Sequence, residues 1–353
     1  MLLRSTLAAT TAACALLAAA GCSGGSSSDS QVADDAGSEE PRRPQLPTDD
    51  DSGVAPPTGP MLLSETGLYS DFAARTLSPG LFAYTPRYEF WADGAKKTRV
   101  LYLPPGTKID TSDIDGFVFP VGTKAFKELR YDGKLIETRL IMKVREGTGN
   151  NAWWEVAYVW KADGSDAVAT PLGQDNALGT THRIPKQTDC GNCHGGVSDV
   201  LIGVSAIQLS DPANNALTQL SAAGRLTNPV PAVIEPPGTG VVKDALAYMH
   251  ANCGHCHNDG SVGVNNQSKM RLRLLVAQTT PEVTGAYTTT IGTVMKHTLP
   301  DGTTDVVVKG NPDKSGLWLR MNRRDNFGMP PAGTQTIDTT GLDIVRQWLL
   351  AWQ

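Results

Sequence analysis

The spacing of apolar positions changes character midway along the chain. Four runs in the first half, "TRVLYLPP" (98–105), "KAFKELRY" (124–131), "LIETRLIMKV" (135–144) and "WWEVAYVW" (153–160), are short and rich in β-branched and aromatic residues, with Gly, Asp and Asn between them. That pattern predicts strands of an antiparallel sheet. "DGK" at 132–134 and "GTGNN" at 147–151 have the residues of hairpin connections. Residues 60–175 are therefore expected to be mostly β, with "WADGAKK" (91–97) a loop of no evident chemistry. Further on, Val242, Ala245, Leu246 and Met249 recur at helical spacing in "VVKDALAYMHANC" (241–253), which predicts a helix running into Cys253. "TGLDIVRQWLLAW" (340–352) places Leu342, Val345, Trp348, Leu349 and Trp352 on one face, with Thr340 and Asp343 as its expected capping box. The fold class expected is α+β: an N-terminal, mostly antiparallel β module followed by a mostly α-helical domain.

The N-terminus does not belong to either pattern. "MLLRSTLAATTAACALLAAAGCSGG" carries one cation, Arg4, then an apolar stretch from Leu7 to Ala20 and small residues before Cys22, the layout of an export signal. The apolar stretch is too short for a membrane span. Cys22 after Ala-Ala-Gly also resembles the lipobox of bacterial lipoproteins, although Ala19 stands where that family usually has Leu. Residues 23–59 are rich in Ser, Gly, Asp and Pro, and hold eight acids against Arg42 and Arg43. A segment so poor in large apolar side chains cannot offset its ordering entropy, and reads as a tether. Its acids account for the formal net charge of -5, leaving residues 60–353 with no basic excess to suggest a nucleic-acid partner.

Cysteine placement brings in the chemistry. Of six cysteines, Cys14 lies in the signal and Cys22 at its end. The other four, Cys190, Cys193, Cys253 and Cys256, all fall in "DCGNCHGG" (189–196) and "NCGHCHND" (252–259), each a Cys-x-x-Cys followed by His. A disulfide or thioredoxin-like motif needs neither the His nor the duplication, and structural zinc could use Cys-x-x-Cys twice with His as a further ligand. With only 6 His in 353 residues, a His directly behind both motifs favours c-type haem attachment. Two thiols on one turn add to the two vinyl groups of a haem, and the following imidazole meets the iron. The expected cofactors are two covalently bound haem c groups, with His194 and His257 as proximal iron ligands.

The opposite side of each iron decides between electron transfer and catalysis. A Met opposite His raises the potential and closes the iron to substrates. Met329, in "NFGMPPAGT", is the candidate for the second haem, since Pro330 and Pro331 stiffen the chain behind its sulfur; the plain alternative is core packing. For the first haem no Met or further His lies between His194 and Tyr248, which leaves Met142, His182, His250, His297 or an open iron. His255, inside the second motif, is expected to face solvent.

"LSETGLYSD" (63–71), "FPVGTKAFKEL" (119–129), "LIETRLIMKV" (135–144), "YMHANCGHCHN" (248–258) and "GNPDKSGLWLRMNRRDNFGMPPAGT" (310–334) together resemble a family of exported bacterial dihaem c-type cytochromes. After the signal peptide at 1–21 and the tether at 22–59, a β-rich module at 60–235 is expected to carry the first haem and, as the resemblance implies, a cytochrome c-like domain at 236–353 the second. The resemblance also implies Met329 opposite His257, and electron transfer at the cell envelope between an unidentified dehydrogenase or reductase and an acceptor. Lipidated Cys22 would anchor the protein to a membrane, facing the periplasm or in the outer membrane. The alternatives are a dihaem peroxidase-like enzyme or a haem-based sensor, either of which needs the first iron open.

Overall fold

The computed structural model describes residues 59–260 and 268–352. The expected signal segment, Cys22 and nearly all of the tether lie outside the described residues. After a single turn at Leu63–Thr66 comes a two-stranded ribbon, β1 (Tyr69–Asp71) and β2 (Thr76–Leu77). Six strands then follow one another as an antiparallel meander: β3 (Leu81–Tyr84), β4 (Lys96–Tyr102), β5 (Lys124–Tyr131), β6 (Lys134–Lys143), β7 (Trp153–Trp160) and β8 (Ala167–Ala169). Helices occupy the rest: α1 (Cys190–His194), α2 (Ala206–Leu209), α3 (Ala216–Ala222), α4 (Gly240–Asn252), α5 (Gly285–Thr288), α6 (Gly316–Met321) and α7 (Thr339–Ala351). An antiparallel sheet towards the N-terminus and helices towards the C-terminus make the α+β arrangement that the apolar pattern predicts.

The two-residue period of a strand gives the sheet two different faces. Trp153 and Trp154 are neighbours in sequence and are buried on opposite sides. On the outer face Val100, Phe126, Leu140, Trp154, Val156 and Tyr158 pack under Leu63 and Leu68. On the inner face Leu101, Ala125 and Trp153 join a cluster that continues through Phe119, Val200 and Leu201 to Leu246 and Met249 of α4, then to Val345, Trp348 and Leu349 of α7. Each large side chain taken fully out of water there contributes about 1.5–3 kcal/mol.

The inner face also carries charge. Arg99 of β4, Lys127 of β5 and Arg139 of β6 stand opposite one another in register.

Helices α4 and α7 meet where Tyr248 lies flat against the backbone of Gly341; a Cβ at that position would overlap the ring. Tyr248 Oη donates to Asp338 Oδ2 at 3.1 Å, and Asp338 Oδ1 accepts from Gly341 N at 2.9 Å. Asp338 is thus the N-cap of α7, and the expected box of Thr340 and Asp343 is not the cap. The helix starts one residue after a carboxylate that serves an orphan helix amide and the tyrosine of the other helix together, so Thr340 falls inside the first turn.

The loop "WADGAKK" has a role that its sequence conceals. Asp93 accepts from the backbone amides of Gln335 and Thr336 at 2.9 Å each, and from the Thr336 hydroxyl at 2.8 Å. Trp91 N donates to Asn252 Oδ1 at 2.7 Å, and Asn252 Nδ2 donates back to Glu89 O at 3.1 Å. The loop therefore ties the sheet to the last residue of α4, beside Cys253, and to the segment that follows Met329.

Candidate functional site

The first Cys-x-x-Cys-His is itself the one-turn helix α1. His194 Nδ1 lies 2.6 Å from the carbonyl of Val200, and a carbonyl can only accept, so Nδ1 carries the proton and Nε2 keeps its lone pair. Burial, followed by the charge of Lys127, pushes the imidazole down to about 4 and keeps it neutral. Val200 is fully buried, with φ at +51°, a conformation a β-branched residue rarely adopts. Its neighbour Asp199 holds it there: Oδ2 accepts from Phe119 N and from Lys143 Nζ, both at 2.7 Å, and Oδ1 accepts from Trp153 Nε1 at 2.7 Å. The carbonyl that orients His194 is thereby bolted to the inner face of the sheet. Beside the Cys190 thiol, burial pushes the carboxyl of Glu155 up to about 7.

The second motif begins where α4 stops. Cys253 closes that helix, donating its amide to Met249 O at 2.9 Å, and its own carbonyl then accepts from Cys256 N at 3.1 Å and His257 N at 2.8 Å. This tight turn presents His257, whose Nδ1 is buried without a partner. Burial, with His255 and Arg271 adding to it, lowers its pKa to about 4.

The two motifs, some sixty residues apart in sequence, are in contact. The ligand atoms of Cys193, His255 and Cys256 all lie within 4.8 Å of one another, and Cys256 Sγ is 3.9 Å from the carbonyl of Asn192. Gly196 fits against the carbonyl of His255 because it has no side chain. Asn258 fixes the second turn from inside, donating to Gly254 O at 2.7 Å and His255 O at 2.9 Å. His255 does not face solvent as expected: it is 7% exposed, with its ring centroid 5.0 Å from that of Phe90. Hydrogen bonding between the two thiols, together with His255, draws Cys193 towards the thiolate and holds Cys256 protonated.

The remaining candidates separate by their surroundings. His182 uses both ring nitrogens, Nδ1 with Tyr131 Oη at 2.8 Å and Nε2 with Glu137 Oε1 at 3.0 Å. His250 is buried, and its Nδ1 accepts from Leu274 N at 3.0 Å. Met142 packs against the outer-face core, and His297 is exposed. Met329 is buried. Its amide donates to Arg320 O at 2.8 Å and its carbonyl accepts from Arg324 Nη1 at 3.0 Å, so the loop is fastened to α6 and the residues just after it.

Sequence reasoning missed Asp199, Lys143, Asp93 and the burial of His255. A tryptophan and a lysine at 153 and 143 signal a buried acid only once the sheet register is known.

No family model, no curated protein and no solved structure matches the chain. The donor set itself supplies the fit to a cofactor. Four free thiols sit in two pairs, each pair followed by a half-buried, neutral imidazole, and one of those imidazoles is turned with Nδ1 on a carbonyl, which leaves the lone pair on Nε2. These residues fit covalently held haem at both motifs.

Proposed function

We propose that the chain is a dihaem c-type cytochrome that carries electrons at the bacterial cell envelope. The observation that carries this reading is the contact between the two Cys-x-x-Cys-His segments, with Cys193 of one against His255 and Cys256 of the other. A haem at each motif would supply a one-electron ferric/ferrous couple. Cys190 and Cys193 tether the first and Cys253 and Cys256 the second. His194 and His257 are the proximal ligands, and Met329 is the distal ligand of the second. Val200 O, by accepting the hydrogen bond from Nδ1–H, fixes the tautomer of His194 and raises its basicity as a ligand. The crossing of α4 and α7 behind the second motif supports a cytochrome c-like organisation for residues 236–353. The partners on this reading are a donor and an acceptor protein, and lipidated Cys22 holds the body at a membrane. Among the described residues no helix is long and apolar enough to cross one.

The test is the visible spectrum of the protein after export in a host that matures c-type cytochromes. Two haems per chain in alkaline pyridine, and a reduced spectrum unchanged by carbon monoxide, support two closed, electron-carrying irons. A shift of half the signal turns the reading towards a peroxidase or sensor with an open first iron. Met329→Ala is expected to lower the potential of one haem only; an unchanged potential removes Met329 as ligand.

A second reading has its own observation. Cys193, His255 and Cys256 could hold a metal ion such as zinc, for which two thiolates and an imidazole are ordinary ligands. A chain with no visible absorption that yields stoichiometric zinc would establish it in place of haem.

A further inference from the structure

Three cations cross the inner face of the sheet side by side: Arg99, Lys127 and Arg139, paired in register on β4, β5 and β6. Like charges directly opposite one another in a sheet repel, and burial strengthens the repulsion. Arg139 of this row, like the other cations of this face, has an acid to meet it. Lys97 reaches Glu89 at 3.3 Å, Lys143 reaches Asp199 at 2.7 Å, and Arg139 reaches Glu137 at 2.6 Å. Among the described residues no carboxylate forms an ion pair or hydrogen bond with Arg99 or Lys127, although Arg99 is only 7% exposed. Burial first, then the charges of Arg139 and Arg99, push the Lys127 amine down to about 7, with Glu137 opposing the shift.

The direction in which the row points identifies what is missing. The inner face looks onto the first motif, because Lys143 and Trp153 on that face hold Asp199, and the carbonyl of the next residue, Val200, binds His194. Lys127 Nζ lies 5.9 Å from the centre of the Phe90 ring, the ring that covers His255. The row thus faces the first Cys-x-x-Cys-His and the contact between the motifs. A haem brings two carboxylates of its own, and guanidinium and ammonium groups are the usual partners of such anions.

We propose that Arg99 and Lys127, with Arg139 completing the row, form the anion subsite that receives the carboxylates of the haem held by Cys190, Cys193 and His194; this rests on the dihaem reading. The subsite orients the haem, and its positive charge holds the iron towards the ferrous state.

The test compares Arg99→Met, Lys127→Met, the charge-conserving Arg99→Lys, and the control Lys96→Met in the haem-loaded protein. Lys96 is exposed and projects from the other side of β4. Resonance Raman bending modes of the haem carboxylates and spectroelectrochemical midpoints are read together. The expected result is a shift of those modes in the first three variants. The two Met variants should also show about a tenfold displacement of the ferrous/ferric equilibrium towards ferric, or about 59 mV for one electron. Arg99→Lys, which keeps the charge, should shift the modes with little change in potential, and it keeps the subsite open to test if the Met variants do not fold. Modes and midpoints that match Lys96→Met in every variant overturn the subsite and leave the dihaem reading standing. A wild-type chain with no haem in alkaline pyridine removes both.

Discussion

At the scale of single residues, two buried groups determine how the molecule responds to substitution and to acid. Asp199 satisfies three donors at 2.7 Å, one of them the fully buried ammonium of Lys143. Asp199→Asn leaves that charge without an opposing one, and chemical denaturation should show a loss of about 3–5 kcal/mol. Replacing the pair together, with Lys143→Met and Asp199→Leu, should recover part of it. The second group is His250. Burial first, then the charges of Arg273 and His255, depress its pKa from 6.5 to about 3. The folded state therefore binds this proton less readily than the unfolded one. The stabilisation is complete above pH 6.5 and is lost as pH falls towards 3. It amounts to a few kcal/mol, since each tenfold loss of proton affinity on folding corresponds to about 1.4 kcal/mol. The urea midpoint should fall over that interval, and His250→Gln should flatten the fall.

At the scale of elements, what the sequence made legible and what it hid divide along a physical line. Strands β4 to β7 and helices α4 and α7 could be read because each is an amphipathic segment whose own period names its buried face. The two Cys-x-x-Cys-His motifs stand out in the sequence because each is five adjacent residues. The N-cap of α7 was misplaced because Asp338 is selected by Tyr248, ninety residues earlier. The burial of His255 follows from contacts with Cys193 and Phe90, and the row of cations from the register between strands; neither leaves a local trace. The same distinction bears on stability. Gly341 carries no signal in the sequence, yet its bare backbone admits the Tyr248 ring. Gly341→Ala should cost about 1–3 kcal/mol by thermal denaturation in spite of alanine's better helix propensity, because the overlap is with an aromatic ring packed between two helices. A gain in melting temperature would mean that α4 and α7 do not approach in this way.

At the scale of the whole molecule, one hydrophobic cluster extends from the sheet to the last helix, and the loop around Asp93 binds the sheet to both the end of α4 and the segment after Met329. On the dihaem reading the sulfurs of Cys193 and Cys256 belong to neighbouring haems, so the two Soret transitions should couple. The reduced protein should then give a Soret circular dichroism band of two opposite signs, and a band of one sign would mean that the chromophores are too far apart to exchange excitation.

The contact of Gly196 with the carbonyl of His255 also has a consequence for biogenesis. A glycine of one motif lies against the backbone of the other, and Cys193 and Cys256 are half-buried with their sulfurs turned towards each other. On the dihaem reading the two attachments therefore share one crowded neighbourhood, and installing the first prosthetic group changes the room left for the second.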